Sequence, residues 1–111
     1  MTRVFIIPLH VSPLEGSIMP SALSGAYVNC YSQGDTYVDA TERALEKLAL
    51  DGLYPEEILK PIYEMESTSW AEHVSESWPD YVDQLPSQAE FSEAIESNSV
   101  VYGPFGSYDT Q

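Results

Sequence analysis

The sequence has few basic residues and a large excess of acidic ones. Its 111 residues include four Lys and Arg against eighteen Asp and Glu, which gives a formal net charge of −14. A nucleic-acid-binding protein needs a basic patch that neutralises phosphates, and four dispersed basic residues cannot form one. Attachment to anionic membranes by charge is disfavoured for the same reason. We therefore expect neither a nucleic-acid partner nor a membrane partner.

Cysteine is almost absent, and the apolar runs are short. Cys30 is the only cysteine, so no internal disulfide is possible, and we expect it to be a small buried apolar side chain. The apolar run that begins at Val4 is interrupted by Pro8 and is shorter than the apolar region of a signal peptide, about 7–15 residues. No stretch reaches the roughly 18 apolar residues of a membrane span. These features predict a cytoplasmic protein.

Motifs that carry catalytic or cofactor chemistry are also lacking. The six glycines are scattered, which excludes a nucleotide-binding loop, and one Cys with two His cannot build a structural zinc site. Neither a Glu-x-x-His pattern nor an EF-hand loop is present. Fourteen serines leave a Ser–His–Asp site open by counting alone, but none lies in a nucleophile elbow. His73 is interpreted as a solvated surface histidine, with general acid–base work as the alternative. We expect no cofactor, no metal and no enzymatic activity.

The first half of the chain predicts two strands and a helix. Residues 3–11 are apolar on both alternating faces, as in a strand covered on both sides, although Pro8 favours an edge or a strand end. Residues 12–25 read as a long loop, and residues 25–31 as a second strand. Its alternation places on one face Ala26, Val28 and Cys30, and on the other Tyr27, Asn29 and Tyr31.

A helix over residues 36–51 has the strongest pattern. Apolar residues recur there at steps of three and four, with charged residues on the opposite side. Thr36 with Asp39 resembles a capping box, and Gly52 is placed to end the helix in a left-handed conformation.

The second half of the chain predicts one longer strand, two helices and a short strand. Residues 57–65 read as the third strand, and Pro61 makes it another edge candidate. Two further capping boxes, Ser69 with Glu72 and Ser87 with Glu90, begin helices, the latter running to about residue 97. The first has Trp70, Val74 and Trp78 on one face. Pro79 breaks it and favours a short new turn. Residues 100–102 read as a last strand, and residues 103–111 as a loop or flexible tail.

Together these elements predict a single α+β domain over residues 1–111, in the order β-β-α-β-α-α-β. The sheet is expected to be mostly antiparallel, with about four strands and two or three helices packed on one face. The oligomeric state stays open, with a monomer favoured because Pro8 and Pro61 discourage edge pairing.

The acidic residues are concentrated after Lys60, the last basic residue of the chain. Residues 61–111 contain no Lys or Arg, and on the two predicted helices the acids fall at helical steps, where like charges repel. The two interpretations are a solubilising face and a surface for a basic partner; the single sign of charge favours the second. Trp78 and Tyr81 belong to the surface for a basic partner if they are interface residues; the alternative is that they pack on the sheet. The candidate partner-binding residues are Glu64, Glu66, Glu72, Glu76, Trp78, Asp80, Tyr81, Asp83, Glu93 and Glu96.

The layout resembles that of small bacterial immunity proteins of contact-dependent inhibition and polymorphic toxin systems. The resemblance is carried by the strand Gly25-Ala-Tyr-Val-Asn-Cys-Tyr31, the helix with Ala40-x-x-x-Ala44-Leu45-x-x-Leu48, and the acidic second half. It implies a non-catalytic acidic inhibitor that neutralises a basic toxin domain, a nuclease, by covering its substrate-binding surface. One alternative is a DNA-mimic decoy that inhibits nucleases or restriction enzymes. Another is a soluble housekeeping domain whose acidity only keeps it in solution.

Overall fold

A computed structural model describes residues 3–14, 17–18 and 24–108. Within these residues, two 3-10 helices span Ser67–Ser69 and Pro79–Gln84. The strands and α-helices are β1 (Arg3–Pro13), β2 (Gly25–Gln33), α1 (Tyr37–Leu50), β3 (Leu53–Ile58), β4 (Tyr63–Glu66), α2 (Trp70–Ser77), α3 (Gln88–Glu96), β5 (Val101–Tyr102) and β6 (Gly106–Tyr108). The predicted α+β class is confirmed.

The described strands form one antiparallel sheet of six strands, rather than about four. Its order is β3-β1-β2-β5, with β4 also paired to β1 and β6 also paired to β2. The single strand predicted over residues 57–65 is wrong, because it divides into β3 and β4. Ile58 of β3 lies opposite Leu9, and Tyr63 of β4 lies opposite Ile6. The chain between them leaves the sheet at Pro61, which has no N–H for a ladder bond.

The prediction that Pro8 marks a sheet edge is also wrong, since β1 lies between β2 on one side and β3 with β4 on the other. Pro8 is opposite Asn29, and its carbonyl accepts a hydrogen bond from the Leu59 amide at 2.8 Å. In an antiparallel strand the N–H and C=O of one residue point toward the same neighbour. The missing N–H of Pro8 therefore faces the gap between β3 and β4, where no ladder bond is lost.

Helices cover both faces of the sheet, so the predicted packing on one face is wrong. On the first face, α1 packs against Phe5, Ile7, Leu9 and Val11 of β1. On the second face, α2 and α3 pack through Trp70, Val74, Phe91 and Ile95 against Val4, Ile6 and Tyr31. Because side chains alternate along a strand, the apolarity of residues 3–11 on both faces was the signal for this arrangement.

The start and end of α1 follow the predicted signals. Thr36 Oγ1 accepts a hydrogen bond from the Asp39 amide at 3.3 Å, which supplies one of the two bonds of a capping box. The helix is followed by Gly52 with φ of 73°, a left-handed conformation that suits glycine. The predicted helix is confirmed over Tyr37–Leu50.

Of the two capping boxes predicted in the second half, one forms. Ser87 Oγ accepts from the Glu90 amide at 3.2 Å, and Glu90 Oε1 accepts from the Ser87 amide at 2.9 Å. Ser69 makes no side-chain cap bond, because its ψ of 1° is not the extended conformation that a capping residue needs. Pro79 begins a 3-10 helix, as the predicted new turn requires, and that helix is called the 3-10 segment below.

Part of the predicted C-terminal loop is a strand. Residues 106–108 form β6 on β2, with Gly25 opposite Tyr108, so the expected loop or tail is wrong there. Residues 109–111 lie outside the described part of the chain, as do residues 15–16 and 19–23 of the predicted long loop. None of the helices in residues 3–14, 17–18 and 24–108 combines the length and the apolar composition of a membrane span.

Candidate functional site

Exposed carboxylates occupy the outer surface of α2. Trp70 and Val74 are buried against the sheet and lie on one side of this helix. Each residue turns an α-helix by about 100°, so Glu72 and Glu76 lie on the opposite side, and both are exposed. The helical step predicted for this pair is therefore present on the solvent side of α2.

The helix α3 presents its acids in the same direction. It buries Phe91 and Ile95, while Glu90, Glu93 and Glu96 are exposed. The helices are neighbours, because the rings of Trp70 and Phe91 stack with centroids 4.1 Å apart and the Ala71 amide donates to Gln88 Oε1 at 2.9 Å. Their outer sides form one surface, called here the acidic face: Glu72, Glu76, Glu90, Glu93 and Glu96.

Asp80 and Asp83 do not continue the row on α2. The helix ends at Trp78, whose φ of −133° and ψ of 52° turn the chain before Pro79. Both aspartates are exposed on the 3-10 segment, where residues three apart lie on the same side. They extend the negative charge beyond the acidic face, past the end of α2 and in a different direction.

Glu64 and Glu66 lie elsewhere. Met65 packs with the core on the second face, so alternation along β4 directs its two neighbours to the first face. Glu64 forms an ion pair there with Arg3, with Nε and Oε1 3.2 Å apart. These two predicted partner-binding residues are therefore separated by the sheet from the acidic face.

The basic residues also belong to the first face. Arg3 has the orientation of Phe5, Arg43 and Lys47 are on α1, and Lys60 lines a cavity with Phe5 and Tyr37. Lys47 pairs with Asp51 at 3.2 Å. In the described part of the chain, no Lys or Arg pairs with a carboxylate of the acidic face. The two sides of the sheet thus differ in charge: one mixes both signs, and the other carries only acids. Arg43 reaches the margin between them, where it donates a hydrogen bond to Asn98 Oδ1 at 3.0 Å.

Beside the acidic face, α2 and α3 leave part of the second face of the sheet uncovered. A groove of about 320 Å³ lies there, between the 3-10 segment and the connection from β5 to β6. Tyr27 and Tyr81 are 51% and 42% exposed in it. We call it the aromatic groove, and its principal lining residues are Pro8, Tyr27, Asn29, Trp78, Tyr81 and Phe105.

Trp78 fills both of the roles considered for it, packing and surface. Its Nε1–H donates to the hydroxyl of Tyr31 at 3.3 Å, and its ring packs against the core of the second face. The same indole lines the aromatic groove, where its centroid lies 6.4 Å from that of Tyr81 in an edge-to-face arrangement. Core contacts thus hold one wall of the groove in place.

His73 is half-buried, so its interpretation as a solvated surface residue is wrong. Its Nε2 lies 2.7 Å from the Tyr31 hydroxyl, and Nδ1 lies 3.5 Å from Ser77 Oγ. Burial lowers the pKa of His73, and the nearby charge of Glu76 opposes this shift. Burial likewise raises the pKa of Tyr31. This network ties α2 and Trp78 to the sheet.

A second ring cluster lies beyond the groove. His10 stacks on Tyr27 with centroids 4.8 Å apart and an interplanar angle of 17°, and its Nε2 is hydrogen-bonded to the hydroxyl of Tyr108. These contacts hold β6 against the sheet and fix the ring of Tyr27 at the groove. The alternation of residues 25–31 predicts Tyr27 on this face, but no sequence signal marks Tyr27 or Phe105 as a site residue.

The aromatic groove offers shape and aromatic surface rather than charge. All of the described residues that line it are uncharged.

Cys30 is fully buried, as predicted, and burial raises the pKa of its thiol to about 12, which makes it unreactive. Within residues 3–14, 17–18 and 24–108, no group of three or more metal-ligating side chains is clustered.

No protein-family model matches the sequence, and no curated protein and no solved structure is significantly similar to it. Its function is therefore inferred from the geometry and charge of its own surface.

Proposed function

We propose that this protein is a non-catalytic acidic inhibitor of the immunity-protein kind, which neutralises a basic toxin domain. The toxin is a nuclease, and the inhibitor covers the surface on which the nuclease binds its substrate. One observation carries the proposal: the exposed acids of α2, α3 and the 3-10 segment occupy one side of the molecule without a single Lys or Arg. They are Glu72, Glu76, Asp80, Asp83, Glu90, Glu93 and Glu96.

Repulsion between these acids lowers the stability of the free protein, and a basic partner would explain why they are retained. Like charges four residues apart, as at Glu72 and Glu76, destabilise a helix by a few tenths of a kcal/mol. An ordinary solvent-exposed surface avoids this by mixing both signs. A surface of one sign instead accelerates association with an oppositely charged protein. The region of a nuclease that binds phosphates is basic, so it matches this side of the molecule.

The aromatic groove adds to the proposal because charge alone gives fast but weak binding. Tyr and Trp side chains that become buried in an interface contribute disproportionately to affinity. Trp78 and Tyr81 lie on the same side of the sheet as the acids. A partner that contacts both surfaces would be held by charge at the acidic face and by the burial of aromatic side chains at the groove.

The geometry supports the DNA-mimic alternative less well. Duplex DNA carries one charge per about 1.7 Å along its axis, so a mimic needs a long and regular row of carboxylates. Here the row on α2 ends at Trp78, and the remaining acids lie on a 3-10 segment and on a separate helix.

The test is binding to a basic nuclease domain, sought among the reading frames next to this gene, measured by calorimetry at low and high salt and by protection on co-expression. Glu76→Lys is compared with Glu42→Lys, an exposed glutamate on α1. The two substitutions change the net charge equally. We expect Glu76→Lys to weaken binding at least about tenfold and Glu42→Lys to leave it nearly unchanged.

Three results would contradict the proposal. Absence of binding even at low salt would remove the inhibitor function. Equal effects of the two substitutions would show that only bulk charge matters, as expected of a solubilising surface. Displacement of DNA from several unrelated nucleases would indicate the decoy instead.

A further inference from the structure

We propose that the aromatic groove binds an arginine side chain of the basic partner. This inference rests on the proposed function, because it assumes that the partner is a basic protein. It adds the site and the chemistry of the anchoring contact. The acidic face attracts the partner, and the groove recognises one of its residues.

The walls of the groove have the shape and chemistry that a guanidinium group needs. Trp78 and Tyr81 both line it, packed edge-to-face at an interplanar angle of 79°, and Tyr27 and Phe105 supply further aromatic surface. A cation over an aromatic face is attracted by the ring quadrupole. The flat guanidinium group stacks on such faces and loses its hydration more easily than an ammonium group.

The charge around the groove selects a cation over a neutral or acidic ligand. Its lining residues are uncharged, so a bound guanidinium meets no competing basic side chain among the described residues. Asp80 and Asp83 are exposed on the same 3-10 segment that supplies Tyr81, and they place negative charge beside the groove. An acidic side chain would be repelled there.

The groove is preformed. Trp78 is held by its bond to Tyr31, and Tyr27 is held by stacking on His10. Rings that are already ordered lose little conformational entropy on binding, which strengthens a contact of this size. The two walls come from segments about fifty positions apart in the sequence, one in β2 and one after α2.

The experiment is an NMR titration of the ¹⁵N-labelled protein with hexa-arginine and hexa-lysine peptides at low salt. The two indole N–H signals provide an internal comparison. Trp78 lines the groove, whereas the Trp70 indole is buried and donates to the Pro86 carbonyl at 2.7 Å. We expect hexa-arginine to shift the Trp78 indole signal and the amides of Asn29 and Gly106, and to leave the Trp70 indole signal unmoved. Hexa-lysine is expected to bind more weakly.

Two variants separate the groove from the bulk charge. Tyr81→Ala removes one of the two rings in the wall after α2, and Tyr37→Ala removes a comparably exposed ring, 58% exposed, on α1. We expect Tyr81→Ala to weaken hexa-arginine binding about fivefold and Tyr37→Ala to have no effect. Tyr81→Leu keeps much of the bulk without the ring quadrupole, and it is expected to lose most of the same affinity. The ¹H–¹⁵N spectrum of each variant reports whether it is folded.

Each negative outcome points to a different failure. If hexa-arginine binds but moves only amides of α2 and α3, or if Tyr81→Ala behaves like Tyr37→Ala, the groove is not the arginine site and the acidic-face proposal survives. Hexa-lysine binding as tight as that of hexa-arginine overturns the preference for arginine. If neither peptide binds at low salt, this inference fails, and the proposed function is decided separately by the binding measurement with the basic nuclease domain.

Discussion

The hydroxyl oxygen of Tyr31 and Nε2 of His73 lie 2.7 Å apart, and this contact joins β2 to α2. The indole of Trp78 can only donate, and it donates to the same hydroxyl. The proton of Tyr31 is then available for His73, whose Nε2 accepts it in the neutral ring. The network therefore holds together when His73 is uncharged, in agreement with its lowered pKa.

Removal of this hydroxyl in Tyr31→Phe is expected to destabilise the protein by about 2 kcal/mol, because it leaves two half-buried polar groups without their partner. Urea unfolding measures the effect. Tyr37→Phe is the control, since its exposed side chain makes a change within about 0.5 kcal/mol the expected result. Equal stabilities of the two variants would show that the network contributes nothing.

The pKa of His73 predicts a pH dependence. In the unfolded chain His73 titrates near its ordinary value of 6.5, whereas burial lowers its pKa in the folded protein. The unfolded chain thus binds more protons between the two values, and stability decreases as the pH falls from about 6.5 through the lowered pKa. Urea midpoints at pH 7.5, 6.5 and 5.5 measure this decrease. His73→Gln is expected to flatten it; a profile unchanged by His73→Gln would refute the assignment.

Two serines provide a matched test of helix capping. Ser87 forms both bonds of its capping box, and hydrogen bonding to its backbone and side chain lowers the pKa of Glu90. Ser87→Ala is expected to cost about 1 kcal/mol of stability. Ser69 makes no cap bond, so Ser69→Ala is expected to cost much less. Chemical denaturation of both variants checks the difference, and a larger loss for Ser69→Ala would contradict the structure.

The acidic face is expected to reduce stability. In Glu76→Lys, the repulsion between Glu72 and Glu76 becomes an attraction in the favourable order, acid before base, so we expect a gain of about 0.5 kcal/mol at low salt. The gain is expected to vanish near 1 M salt, where the screening length is about 3 Å. Denaturation at both ionic strengths measures it. A stabilised variant that also loses its partner would show that the acid is retained for binding, whereas a destabilised one would mean that Glu76 has a structural role.

Short-range features of this fold could be predicted from the sequence. The helix after Thr36, its end at Gly52 and the capping box at Ser87 depend on residues within one helical turn of one another. The apolar residues on both faces of β1 likewise predict a strand that is covered on both sides. In each case the residues that form the sequence pattern are also the residues that determine the local structure.

Long-range features could not be predicted. Pro8 is tolerated in a central strand only because β3 ends and β4 begins beside it, and that gap is not visible in the local sequence. The environment of His73 is set by Tyr31, 42 positions away. The acids of α2 and α3 could be identified from their spacing. The separation of Glu64 from them depends on which face of the sheet each element covers.

The separation of charge across the sheet gives the molecule an electric dipole. All four basic residues belong to the α1 side, while α2, α3 and the 3-10 segment carry only acids. A positively charged surface exerts a torque on such a dipole while the two proteins are still separated by water. The torque turns the α2–α3 layer toward such a surface, so a basic protein of the proposed kind would meet this layer more often than random collisions allow.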